Sequence, residues 1–129
     1  MTGTPIKVMV VDDDDSLLQT VRWTLEPEGF VVITTNSALC APLVSREKPH
    51  LLLVDINMPA LKGTDVVRII RKHDLNNGLP ILLHSSRPEA DLKEMVVASG
   101  ASGYIRKAED PETFLREIRF WITKLKVGG

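Results

Sequence analysis

Five side chains able to do chemistry follow short apolar runs. Asp12 and Asp13 follow Ile6–Val11, Asp55 follows Leu51–Val54, Ser85 follows Pro80–His84, and Lys107 follows Gly103–Arg106. If those runs are neighbouring strands, three carboxylates, a hydroxyl and an ammonium share one rim. Carboxylates held close together repel one another, and at least one stays protonated unless a cation joins them. An all-oxygen set of this kind suits a hard divalent ion such as Mg²⁺. A carboxylate is also a competent nucleophile toward phosphorus and forms an acyl phosphate. The incoming phosphoryl oxygens then need positive charge, from the metal and from Lys107, and Ser85 can donate a hydrogen bond to them. Taken singly these residues say little. An acidic run such as Asp12–Asp15 is an ordinary helix-capping turn, and a lone lysine is a surface residue. The joint placement at the ends of four different runs is what points to a phosphoryl-acceptor site.

The elements that must position them are legible as five apolar runs, Ile6–Val11, Phe30–Thr34, Leu51–Val54, Pro80–His84 and Gly103–Arg106. Rich in β-branched residues and leucine with little polar alternation, they read as parallel strands buried on both faces. Segments of helical period lie between them at about 15–26, 38–47, 63–73, 89–98 and 111–126. Asp14, Asp15 or Ser16 can cap the first helix, which Pro27 and Gly29 close. Asn76-Asn77-Gly78 punctuates the approach to the fourth strand. Pro88-Glu89 and Asp110-Pro111-Glu112 open the last two helices, with Pro111 suited to a first turn. Strict β–α alternation predicts a doubly wound α/β fold with a parallel sheet and right-handed crossovers. Periodicity alone leaves a flavodoxin-like order and a Rossmann half equally open.

Composition narrows the function classes. The chain has 129 residues, 43% of them apolar and 26% charged, the make-up of one globular unit. Sixteen basic residues stand against seventeen acidic ones, which argues against direct binding of nucleic acid. Cys40 is the single cysteine, so no intrachain disulfide can form. The start MTGTPIKVMVV lacks the pattern of a signal peptide, and no apolar stretch reaches the roughly 18–20 residues of a membrane span. A soluble cytoplasmic protein is expected. His50, His73 and His84 are scattered and read as structural or surface residues. A dinucleotide binder would need a glycine-rich turn where this chain has Asp12–Asp15.

In order and spacing, these segments resemble the receiver domains of two-component response regulators, over nearly the whole chain. VMVVDDDDS resembles the first strand and acidic pair, LLLVDINMPALKG the phosphoacceptor strand and loop, LPILLHSS the fourth strand, and GASGYIRK the fifth. The resemblance implies a flavodoxin-like order 2-1-3-4-5 with helices on both faces, and one receiver domain over 1–129. It implies Asp55 as phosphoacceptor, with Asp12, Asp13, Asp55 and the backbone carbonyl of Asn57 as the Mg²⁺ shell. Met58-Pro59 and Gly63 complete the loop pattern. Ser85 becomes the hydroxyl switch, Tyr104 the rotating aromatic and Lys107 the phosphate-binding lysine.

Implied partners are a sensor histidine kinase or phosphotransfer protein as donor, and a downstream effector or attached output domain. A homodimer through the surface of the fourth helix, fifth strand and fifth helix is also implied. Such a protein is a signalling phosphoacceptor that promotes its own phosphorylation and dephosphorylation rather than an enzyme. An aspartate-nucleophile phosphatase would carry an acid where Asn57 stands. A pseudo-receiver that is never phosphorylated is the stronger rival, and Ala108 leans toward it. The family usually has a proline there after a cis bond, so either a trans bond or strain is expected at Lys107–Ala108. Ser86 replaces a usual alanine, and Arg87 holds a position that influences loss of the phosphoryl group. Trp23 and Phe120 fall opposite the apolar faces of their helices and are expected to mark partner contacts.

Overall fold

The computed structural model describes residues 3–73, 78–108 and 110–128. Its elements are β1 (Lys7–Val11), α1 (Asp15–Leu25), a 3₁₀ turn (Glu26–Glu28), β2 (Val31–Thr35), α2 (Ala41–Glu47), β3 (Leu51–Asp55) and α3 (Gly63–His73). There follow β4 (Ile81–Ser85), α4 (Glu89–Ser99), β5 (Gly103–Arg106) and α5 (Pro111–Leu125). The five strands form one parallel sheet in the order β2-β1-β3-β4-β5. This is the flavodoxin-like arrangement, and it removes the Rossmann alternative.

Alternation along the strands divides the core in two. Met9, Val11, Leu52, Val54, Ile81 and Leu83 pack with α2, α3 and α4 on one face of the sheet. Val8, Val10, Leu51, Leu53, Leu82 and Ile105 pack with α1 and α5 on the other. Each such side chain removed from water contributes roughly 1.5–3 kcal/mol. Both-face burial holds for β3 and β4 throughout and for most of β1. The edge strands depart from that expectation. Val31 on β2 and Arg106 on β5 are exposed, because each edge strand has a neighbour on one side only.

Local chemistry sets most boundaries. The Asp14 carboxylate accepts the amides of Ser16 and Leu17 and caps α1, which closes through the Pro27 turn and Gly29 at φ 94°. Asp110 caps α5 through the Thr113 amide, with Pro111 in the first turn. Helix α2 starts at Ala41, later than the predicted 38. The Ser37 hydroxyl accepts the Leu39 amide, and this local turn competes with helix. Asp55 and Ser85 are the last residues of their strands rather than the first beyond them. Asn76 and Asn77, part of the predicted punctuation before β4, lie outside the described residues.

The apolar stripe of α5 is as expected. Phe114 and Ile118 are buried, and Leu115, Trp121, Ile122 and Leu125 pack against the same core. Gly103 makes room for this stripe, since a Cβ there would stand 2.2 Å from the Trp121 ring.

Candidate functional site

The winding reverses at β1. From it the chain reaches β2 on one side, while β3, β4 and β5 follow on the other. A crevice therefore opens between the carboxyl ends of β1 and β3. Asp12 leaves β1 with its amide on the Thr35 carbonyl (3.1 Å), and its Oδ1 accepts the Asp14 amide (2.9 Å). One carboxylate oxygen is thus spent on turning the chain into α1. Asp55 ends β3 beside His84 of β4. Asp12 and Asp55 are both buried, Asp13 is exposed, and ligand oxygens of the three lie within 4.8 Å of one another.

Lys107 follows β5 and closes this group. Its amide donates to the Ser85 carbonyl (2.8 Å), which fixes the start of the side chain. Its Nζ lies 3.0 Å from Asp12 Oδ2 and 3.1 Å from Asp55 Oδ1. Burial, then the neighbouring Asp12 charge, push the Asp55 carboxyl above its ordinary range, and Lys107 opposes them. Burial works against the Lys107 charge too, but the two carboxylates outweigh it and hold its pKa above the usual value. Three carboxylates against one ammonium leave the pocket with excess negative charge. Asp12 Oδ2 is buried, with the Lys107 ammonium 3.0 Å away. One ammonium shared between two buried carboxylates, with Asp13 beside them, leaves an all-oxygen set that fits a hard divalent cation.

The floor of the pocket depends on Gly63. Its amide donates to the Ile56 carbonyl (2.8 Å), and a Cβ there would sit 2.1 Å from the Asp55 carbonyl oxygen. Only a residue without a side chain lets α3 start against the backbone of the acceptor strand. The intervening loop carries Asn57, exposed, and Met58, buried.

The other two expected switch residues stand apart from the acids. Ser85 is buried, and its Oγ accepts the Arg87 amide (3.1 Å), while among the described residues this hydroxyl makes no bond to the side chains of Asp55 or Lys107. Tyr104 is half-buried and donates its hydroxyl to the Glu89 carboxylate at the start of α4. That bond to an anion pushes the phenol up to about 12. Sequence reasoning missed the bonds around the β4–α4 loop. Arg106 donates to the carbonyls of Arg87 (3.1 Å) and Ser86 (3.4 Å), and Arg87 reaches the Asn57 side chain (3.5 Å). No spacing rule announces them, because they join three different loops and strands.

No peptide bond among the described residues is cis, so Lys107–Ala108 is trans. Glu109, in the following loop, lies outside the described residues. His84 is buried against Phe114 (5.4 Å between rings), and burial followed by the Lys107 charge depresses it to about 3. His50 accepts the Lys7 amide (2.8 Å) and His73 is exposed, so none of the three histidines joins the acids.

The profile of the family described as "Response regulator receiver domain" matches residues 8–119. The chain belongs to this family. Similar proteins include the DNA-binding response regulator MtrA of Mycobacterium tuberculosis, 31% identical over 88% of this chain and 49% of its own length. The cell cycle transcriptional regulator CtrA of Caulobacter vibrioides is 30% identical over 94% of this chain and 52% of its own. The receiver chain thus spans about half the length of these curated relatives. Among solved structures, the chemotaxis protein CheY4 of Vibrio cholerae superposes with a TM-score of 0.83 at 28% identity, covering 91% of this chain and 98% of that one. The BeF₃-activated receiver domain of Klebsiella pneumoniae RstA gives 0.76 at 28% identity, covering 88% and 96%. This is a two-component signalling module with an acidic pocket at Asp12, Asp13 and Asp55. No helix among the described residues is long and apolar enough to cross a membrane.

Proposed function

We propose that this receiver accepts a phosphoryl group on Asp55 and switches on that charge. The observation that carries the reading is the convergence of Asp12, Asp13 and Asp55 within 4.8 Å, with Lys107 bridging two of them. Asp12, Asp13, Asp55 and the Asn57 carbonyl would hold Mg²⁺, which when bound neutralises phosphoryl oxygens and orients the group in line. Lys107 keeps Asp55 ionised despite its burial, and so keeps it nucleophilic. A carboxylate oxygen of Asp55 attacks phosphorus while the P–N bond of a donor phosphohistidine breaks. The electron pair leaves with the imidazole nitrogen, which ends protonated. Lys107 then faces the new phosphoryl oxygens as well as Asp12.

The product adds about 1.5–2 negative charges. Ser85 exchanges its Arg87 amide for a phosphoryl oxygen, and Tyr104 leaves Glu89 for the space that Ser85 vacates. The α4–β5–α5 surface changes shape with them. The donor is a sensor histidine kinase or phosphotransfer protein, and the reader is an effector, an attached output domain or a second copy on that surface. Residues 1–129 act as one receiver unit, in the cytoplasm, as a phosphoacceptor rather than a turnover enzyme.

Intact-protein mass after incubation with acetyl phosphate tests this reading. One added phosphoryl group is expected with Mg²⁺, and none without Mg²⁺ or in Asp55→Asn. No adduct under any condition, with no response to beryllofluoride, would leave an interaction module that is never phosphorylated.

A further inference from the structure

The helices α2 and α3 leave an apolar slot between them. It has a volume of about 250 Å³ and is lined by Leu39, Cys40, Pro42, Leu61, Ile69 and Ile70 among others, all of them apolar. Leu39 is 74% exposed and Ile69 37%, so two large side chains stand at the lips of a concave apolar surface. Scattered exposed leucines are ordinary, but a pair flanking a groove marks a binding surface. Ala41 and Ile70 also line a second cavity of about 700 Å³, so the trough continues along the helix pair.

Charge identifies what fits there. Segments 37–49 and 61–73 hold six of the sixteen basic residues and only two of the seventeen acidic ones. That is +4, against −5 for the rest of the chain. Both acids are already engaged, Glu47 with Lys7 and Arg46, and Asp65 with Arg68 at 2.7 Å. Lys62, beside Leu61, and Lys72, one turn beyond Ile69, are exposed and carry no ion pair among the described residues. Exposed lysines next in sequence to Leu61 and one turn from Ile69, with a narrow apolar slot beside them, complement an acidic amphipathic helix, whose apolar stripe enters the groove while its carboxylates meet the lysines.

We propose that the α2–α3 trough docks an acidic amphipathic helix of a separate partner protein. None of the residues lining the slot belongs to α4, β5 or α5, and the proposal does not depend on phosphorylation. Leu61, which lines the slot, belongs to the same loop as Asn57.

The probe is a synthetic sixteen-residue helix with leucines at positions i, i+4 and i+7 and glutamates on its other faces, titrated into the full chain by NMR. Its twin with lysine for every glutamate is the control. Shifts are expected at Leu39, Leu61 and Ile69, with the lysine twin at least tenfold weaker. Ile69→Glu, and separately Lys62→Glu with Lys72→Glu, should each weaken binding about tenfold while the rest of the spectrum and Mg²⁺ uptake stay unchanged. Leu39→Ser, a milder surface change, should weaken it less. Equal binding of both peptides, shifts on another face, or no binding at millimolar peptide would overturn the proposal. So would sedimentation showing a dimer that Ile69→Glu dissociates, since a second copy would then fill the trough. Binding to phosphatidylserine vesicles without binding to the peptide would likewise overturn it.

Discussion

The two halves of the pocket are held by different forces. On the β1–β3 side, Asp12 and Asp55 are buried at the ends of strands that are themselves core, and Gly63 packs α3 onto the Asp55 carbonyl. On the β4–β5 side, the Ser85 loop is held by the exposed side chains of Arg106, Arg87 and Glu89 and by the half-buried Tyr104. Buried packing against backbone costs several kcal/mol to disturb, whereas exposed polar bonds contribute about 1 kcal/mol or less each. The buried acids stand on core strand ends, and the Ser85 loop rests on polar bonds at the surface. Under the proposed function this is the division a switch needs, with the acceptor held in line while its reader changes place.

Breaking the rigid half should have the largest effect. Gly63→Ala drives a methyl into the Asp55 carbonyl, and about 3 kcal/mol of stability is expected to go in urea unfolding, with phosphoryl uptake lost as well. A variant of native stability and normal uptake would show that the α3 contact is not needed. Lys107→Met should slow uptake from acetyl phosphate about 10²-fold by removing charge from the phosphoryl oxygens. It should also raise the Asp55 pKa further, measurable by NMR titration, since burial and the Asp12 charge would then be opposed only by the Asn57 amide.

His84 sharpens the comparison, because it precedes Ser85 directly yet belongs to the core. Its folded pKa is about 3, below the ordinary 6.5, so the folded state keeps it neutral where the unfolded chain takes up a proton. Stability should therefore fall as pH drops below 6.5 and level off near pH 3, at roughly 1.4 kcal/mol per pH unit at the steepest. His84→Leu should flatten that slope, and an unchanged slope would assign it to other groups. The smallest effects belong to the surface bonds. Glu89→Gln and Tyr104→Phe are each expected to change stability by less than about 1 kcal/mol. Both should ease the Ser85 loop, seen as increased μs–ms exchange in NMR relaxation dispersion at residues 85–89.

The strand-end residues were the legible part of both halves. Asp12, Asp13, Asp55 and Lys107 stand out in the sequence because strand ends in a parallel sheet converge, and the order of apolar runs fixes which ends are neighbours. The Asp14 cap and the α5 stripe were equally readable, since both depend on residues within a turn or two. The helix predicted at 38–47 began late because a serine turn at Ser37 outcompeted it locally, a balance that propensity does not resolve. The bonds of the β4–β5 side join residues 15 to 30 apart on different elements, and no periodicity encodes them. The trans bond at Lys107–Ala108 was within reach of the sequence, because without proline a cis bond costs about 2.5–4 kcal/mol.

Borohydride reduction of the acetyl phosphate-treated protein, followed by peptide mapping, tests the central claim most directly. Reduction of an aspartyl phosphate leaves homoserine, and homoserine is expected at position 55 alone, dependent on Mg²⁺. Homoserine at Asp12 or Asp13, or at no position in a protein that binds Mg²⁺ normally, would contradict Asp55 as the acceptor.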